Sequence, residues 1–431
     1  MQRRQGLTLL PDPKPVADFL KASLNNPRMA PPVEDEDCLY LNVYSPATAS
    51  PSDKKPVLFW IFGGNLMFGG STLAFYDGSF FAGLQDVVVV TINYRTNIFG
   101  FPGAPHLPPG EQNVVWRRPR ADNLVRRVCW GCVREAAARV PTIAAAFRAA
   151  ILESQGAVLP AVPELSYGIV AKNFGCTDPR ASIDCLRQVP AADLASFISK
   201  HDIFFPPRDD HATWTSDVRP RIRSKEFADV PLFFGSNSDE GRLFVAALGL
   251  ANASANVDNL AFLIPDQQAR TAMHAFYNPF IRDTYHLLST IITKLLFTCK
   301  TSSLSSYAKS HGYNVWRYYF SFQPESLVLF PDSGAYHASE VPFVFGSLPL
   351  YEGVATATKT ETALSHFMQT TWANFAKNPS SGPGWQQIHT TPKAIAELGG
   401  KHNSTGKYMI SPIEIENDCF LYNPIIDLTG Y

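Results

Sequence analysis

The sequence predicts an α/β protein with a central, mostly parallel sheet flanked by helices. Two observations carry that reading. Four short runs, at 56–62, 87–93, 230–234 and 314–320, are apolar nearly throughout instead of alternating. Strands covered by helices on both faces have this pattern, because neither face meets water. Helix-length stretches at 193–200, 241–250, 282–296 and 360–377 fall among them, and strands that alternate with helices argue for one sheet with helical layers on either side.

The elements follow in order. Residues 1–35 are Pro-rich and form an irregular lead-in. A short strand at 39–44 is stopped by Ser45-Pro46. The run at 56–62 passes straight into Gly63-Gly64, and Gly69-Gly70 and the stretch 100–110 punctuate loops. The run at 230–234 opens onto Gly235-Ser236-Asn237. Neither an internal repeat nor a linker interrupts the chain, so 36–431 reads as one domain.

Composition narrows the function. The chain has 431 residues, of which 45% are hydrophobic and 12% aromatic, enough for a large core. Charged residues make up 17% and the formal net charge is −1. That excludes a basic nucleic-acid binder and a long charged disordered tail. A membrane span needs about 18 apolar residues in a row, and none is present. Met1-Gln2-Arg3-Arg4-Gln5-Gly6 carries charge but no apolar segment follows, so no secretory signal is legible. The sequence does not fix an oligomeric state.

Seven cysteines, at 38, 129, 132, 176, 185, 299 and 419, leave at least one unpaired. Two sequons, Asn252-Ala253-Ser254 and Asn403-Ser404-Thr405, fit an oxidising, glycosylating route. Segment 114–146 stands apart. It holds seven arginines and no lysine, against two acids, with two cysteines and two tryptophans. Either it is a basic surface segment or it is GC-rich coding sequence read in the wrong frame. Cys129-Trp130-Gly131-Cys132 has dithiol spacing, but no second pair of zinc-spaced ligands accompanies it, and no metal or cofactor is expected.

The stretch Glu36-Asp37-Cys38-Leu39-Tyr40-Leu41-Asn42-Val43-Tyr44-Ser45-Pro46 resembles the second signature of type-B carboxylesterases, the cholinesterase-like branch of the α/β hydrolases. The similarity continues through 54–113 and from 147 to the C-terminus, with wording closest to filamentous-fungal members. It implies an α/β-hydrolase fold, incomplete at the N-terminus and around the nucleophile elbow, and hydrolysis of a small-molecule carboxylic ester through a serine acyl-enzyme. Phe62-Gly63-Gly64-Asn65-Leu66 occupies the place of the family's glycine-rich loop. The N–H groups of Gly64 and Asn65 would be oxyanion donors, aimed where the carbonyl oxygen becomes negative. Taken alone, Glu240 reads as an acid favoured by a helix N-terminus. Within Asn237-Ser238-Asp239-Glu240-Gly241 the resemblance makes it the triad acid. His337, in Tyr336-His337-Ala338-Ser339-Glu340-Val341-Pro342-Phe343-Val344-Phe345-Gly346, would be the triad base, with Glu340 a candidate acceptor behind it.

The nucleophile is missing. Its mark is G-x-S-x-G, whose tight strand-to-helix turn needs small neighbours, and no serine of this chain has glycine at both −2 and +2. The motif belongs between Asn113 and Phe147, where the Arg-rich segment lies. Ser154 sits at what the family uses as a later strand end and is set aside. The chain as written is therefore expected to lack triad turnover. A non-catalytic, esterase-like binding or adhesion role is the alternative.

The resemblance also implies a short-loop disulfide, Cys176–Cys185, and a long-loop one, Cys299–Cys419. Cys38 would pair with an earlier cysteine that this chain lacks. A secreted family member truncated at its N-terminus accounts for that orphan and for the missing signal. Arg28 stands near the tryptophan with which cholinesterases hold a quaternary ammonium, which disfavours a choline ester.

Overall fold

The computed structural model describes residues 35–108, 110–113, 147–156, 162–201, 203–211, 214–250, 255–351 and 356–429. The lead-in with Arg28, the Arg-rich segment with Cys129 and Cys132, and the Asn252 sequon lie outside the described residues.

The strands are β1 (Leu41–Tyr44), β2 (Val57–Ile61), β3 (Val88–Ile92), β4 (Ala150–Glu153), β5 (Leu232–Asn237), β6 (Val315–Phe320), β7 (Ile395–Leu398) and β8 (Lys407–Ile410). The four apolar runs are β2, β3, β5 and β6. Pairing is mostly parallel: β2 with β3, and β4, β5, β6 and β7 in succession. Among the described residues, only the outer strands β1 and β8 run antiparallel to their neighbours. The ladder comes in two pieces, β1-β3-β2 and β4-β5-β6-β7-β8. Among the described residues, neither the outer edge of β2 nor that of β4 has a strand partner, and the chain between β3 and β4 includes the undescribed 114–146.

Burial follows the apolar pattern. Every residue of β5 is buried, and β6 has one partial exception. On β2, Val57 is exposed and Ile61 buried, so this strand sinks into the molecule toward its C-terminal end.

One apolar core joins the two sheet pieces. Val89 of β3, Phe233 of β5 and Trp316, Tyr318 and Phe320 of β6 belong to it, and Leu58, Trp60 and Ile151 pack against it. The Phe233 ring meets Tyr318, Trp372, Phe375 and Trp385 at centroid distances of 5.0 to 5.4 Å. Each such side chain, fully removed from water, stabilises by about 1.5–3 kcal/mol.

The helices used below are α1 (Pro163–Asn173), α2 (Ala191–Lys200), α3 (Glu240–Ala247), α4 (Thr284–Thr293), α5 (Cys299–Ser310), α6 (Val341–Phe345) and α7 (Lys359–Lys377). Helix α7 buries Leu364, Met368, Trp372 and Phe375 at helical spacing. It starts on a capping box: Thr358 Oγ1 accepts the Glu361 N–H at 3.2 Å, and Glu361 Oε2 accepts the Thr358 N–H at 2.7 Å. The helix expected over 282–296 is longer than that. α4 continues through a π-helical segment, Lys294–Thr298, directly into α5. No described helix is long and apolar enough to cross a membrane.

Candidate active site

The site is built on loops that leave the C-terminal ends of β5 and β6. In open parallel sheets, this is where ligand sites form. β5 ends at Asn237, and Glu240 opens α3 after a two-residue turn. Glu240 is fully buried. Its Oε1 accepts the Asn237 N–H at 2.7 Å, and its Oε2 lies 2.6 Å from His337 Nδ1. The carboxylate is thus fixed by its own strand and presents its second oxygen to the ring. Gly241 lets α3 press onto α4: a Cβ there would come within 2.1 Å of the Ser289 carbonyl oxygen.

Asp239 clamps the histidine loop to this turn. It exchanges backbone and side-chain bonds with Ala335 at 3.1 and 3.0 Å and pairs with Arg242 at 2.9 Å. Asn237 Nδ2 donates to the Tyr336 carbonyl at 2.9 Å and to Glu340 Oε2. Ala338, next to the histidine, has a φ of 72°, the left-handed region that a residue with a Cβ rarely occupies. The Phe297 and Phe244 rings pack against His337 with centroids 4.9 and 5.2 Å away. Phe297 lies in the π-helical segment, and such segments often mark functional sites. Burial by itself lowers the His337 pKa, but the Glu240 charge and hydrogen bond outweigh it, and the result lies above the ordinary histidine value.

Behind the pair lies a buried acidic group. Ser154 follows β4 with a φ of 46°, and its hydroxyl reaches Glu340 Oε1 at 3.4 Å. Burial raises the Glu340 pKa, and the charge of Glu240 adds to this. Glu153 Oε1 accepts the Trp372 indole N–H at 2.6 Å, while its Oε2 is shut off from solvent with no partner among the described residues. Burial, with the Glu340 charge adding to it, brings the Glu153 carboxyl up to about 8. The Trp60 indole nitrogen of β2 is likewise buried without a partner among the described residues. These two groups stand on β2 and β4, each at one end of its sheet piece.

The glycine loop leaves the C-terminal end of β2. Gly64 has a φ of 118°, and a Cβ there would fall 2.2 Å from the Phe68 carbonyl oxygen. Asn65 and Leu66 have φ values of 53° and 62°, so Asn65 adopts a left-handed conformation that asparagine tolerates. Neither the Gly64 nor the Asn65 N–H meets an acceptor among the described residues. The loop connects to the acids through aromatic rings: Phe62 stacks on Tyr76 at 6.5 Å, and the Tyr76 hydroxyl feels the Glu340 and Glu153 charges.

The structure brings Glu240 and His337 into direct contact and places Glu340 beside them. Sequence reasoning set Ser154 aside and passed over Glu153, Trp372 and Phe297. A positive φ at a buried serine is visible only in three dimensions. Among the described residues, the disulfides are Cys176–Cys185 and Cys299–Cys419, and Cys38 is free. Among the described residues, Cys299, Asp418 and Cys419 group their ligand atoms closely, but both sulfurs are tied in the disulfide.

The chain matches the pattern of the Carboxylesterase family over residues 13–106 and 135–411, which leaves 107–134 unmatched. It is 29% identical over 421 residues to the para-nitrobenzyl esterase of Bacillus subtilis (strain 168), covering 90% of this chain and 82% of that protein. It is 30% identical over 391 residues to carboxylesterase 5A of Felis catus, covering 79% of this chain and 70% of the relative. To the acylcarnitine hydrolase of Mus musculus it is 29% identical over 387 residues, covering 80% and 68%. The matched stretches include the glycine loop after β2 as well as the turn and loop that hold Glu240 against His337, and on that extent of agreement the chain belongs to the carboxylesterase family.

Proposed function

We propose that this is the scaffold of a carboxylic-ester hydrolase that keeps the acid, the base and the oxyanion loop but, in the chain as it stands, has no acyl-enzyme chemistry. Glu240 holds His337 in one tautomer and stabilises the imidazolium that forms when the ring takes a proton. The N–H groups of Gly64 and Asn65 serve the developing oxyanion of a bound ester. What is lacking is a hydroxyl on a G-x-S-x-G turn to attack the carbonyl carbon. The observation that carries this is the stretch between Asn113 and Phe147, which has no such motif and overlaps the 107–134 gap in the family match. Without the nucleophile, binding and oxyanion effects leave at most ~10³–10⁴ over water.

The two disulfides support passage through an oxidising, secretory compartment. The proposed nearness to filamentous-fungal members rests on the wording of the similar stretches, 36–46, 54–113 and 147 onward. The missing motif equally favours a second reading, a non-catalytic esterase-like binding protein.

The purified chain should hydrolyse p-nitrophenyl butyrate no faster than its His337→Ala variant. Turnover with a burst, blocked stoichiometrically by a serine-directed phosphonate, would overturn the proposal. Sequencing the transcript across the codons for 105–155 separates the two readings. A corrected frame that restores G-x-S-x-G makes the protein a serine esterase, and confirmation of the Arg-rich segment leaves the binding role.

A further inference from the structure

We propose that Asn403 is an N-glycosylation site, taking its glycan from a lipid-pyrophosphate-linked oligosaccharide. The sequon Asn403-Ser404-Thr405 forms the tip of the hairpin between β7 and β8, and residues 401–405 are all exposed. Asn403 Oδ1 accepts the Thr405 N–H at 3.3 Å and the Thr405 hydroxyl at 3.4 Å, so the amide and the hydroxyl that define the sequon face each other. In the transfer, Nδ2 forms a bond to C1 of the first sugar as the bond from C1 to the pyrophosphate oxygen breaks. The lipid pyrophosphate leaves, and one amide proton is lost to water.

The folded hairpin accommodates the product. Nδ2 makes one hydrogen bond, to the Lys407 carbonyl at 3.2 Å, and the secondary amide left after transfer keeps one N–H to make it. No apolar side chain of the tip has to be uncovered. The compartment is argued independently: Cys176–Cys185 and Cys299–Cys419 need the oxidising lumen in which this transfer takes place.

The test is to express the full chain behind a cleavable secretory leader in yeast. Peptides are mapped after treatment in heavy-oxygen water with a peptide N-glycosidase, the amidase that hydrolyses the side-chain amide bond and so converts each formerly glycosylated asparagine to an oxygen-labelled aspartate. The expected result is a marked Asn403 in both secreted and retained chain, lost in Thr405→Ala and kept in Thr405→Ser. Thr405→Ser keeps the hydroxyl that bonds Asn403 Oδ1, so a mark retained there and lost in Thr405→Ala separates loss of the sequon from misfolding. An unmarked Asn403 in molecules whose Cys299–Cys419 bond has formed overturns the proposal, even if Asn252 is marked.

Discussion

Burial raises the Glu153 carboxyl, the Glu340 charge adds to this and the Trp372 indole bond works against both, which together bring it up to about 8. A carboxyl raised in this way is neutral in folded and unfolded chains alike at low pH. Between the ordinary carboxylate range and about 8, only the unfolded chain ionises, so folding stability falls as pH rises through that window. His337 acts in the same direction. Its pKa is raised by Glu240, so its contribution is complete below the ordinary histidine value and fades as pH rises through the folded one. Glu153→Gln keeps an acceptor for the Trp372 N–H and removes the ionisation. It should raise the thermal midpoint at pH 8.5, by about 2–4 kcal/mol in free energy, and leave it nearly unchanged at pH 5. An equal shift at both values would sink the ionisation argument. Glu240 and His337 were legible in the sequence because each lies in a dense run of matching residues. Glu153 was not. At the end of Ala150-Ile151-Leu152 it reads as an ordinary acid where a strand meets water, yet its hydrogen-bond partner lies 219 residues further on.

Between elements, the closest fit is where β5 meets β6. Gly235 pairs directly with Tyr318, and a Cβ on it would fall 1.9 Å from the tyrosine ring. Tyr318 is fully buried among the core aromatics, so the ring has nowhere to swing. Gly235→Ala should therefore destabilise by about 1–3 kcal/mol or more, read as a lower denaturant midpoint. An unchanged midpoint would mean that the two strands separate more easily than this packing implies. β5, β6 and α7 were legible because their patterns are long and apolar. β7 and β8 are four residues each, too short to show a period. Helix α5, Cys-Lys-Thr-Ser-Ser-Leu-Ser-Ser-Tyr-Ala-Lys-Ser, is rich in residues that compete with the backbone for hydrogen bonds. Burial of Leu304, Ser305 and Ala308 holds it helical against that preference.

Across the whole molecule, the two sheet pieces share one core, and two disulfides constrain very different lengths of chain. Cys176–Cys185 closes a separation of 9 residues and Cys299–Cys419 one of 120. On chain entropy alone, the first should stabilise by about 2–3 kcal/mol and the second by about 5 kcal/mol. Replacing both cysteines of the long pair by alanine should thus lower stability about twice as much as doing so for the short pair. Urea titration of the two double variants measures this, and equal losses would refute the entropic ranking. The long bridge has a topological consequence as well. β6, the loop carrying His337, α7 and the β7–β8 hairpin all lie inside the covalent ring it closes. A protease that cuts once anywhere within that ring opens a gap in the backbone without freeing a fragment. The nicked chain stays one particle of unchanged mass apart from the added water, and its two pieces part only when a reductant opens the bridge.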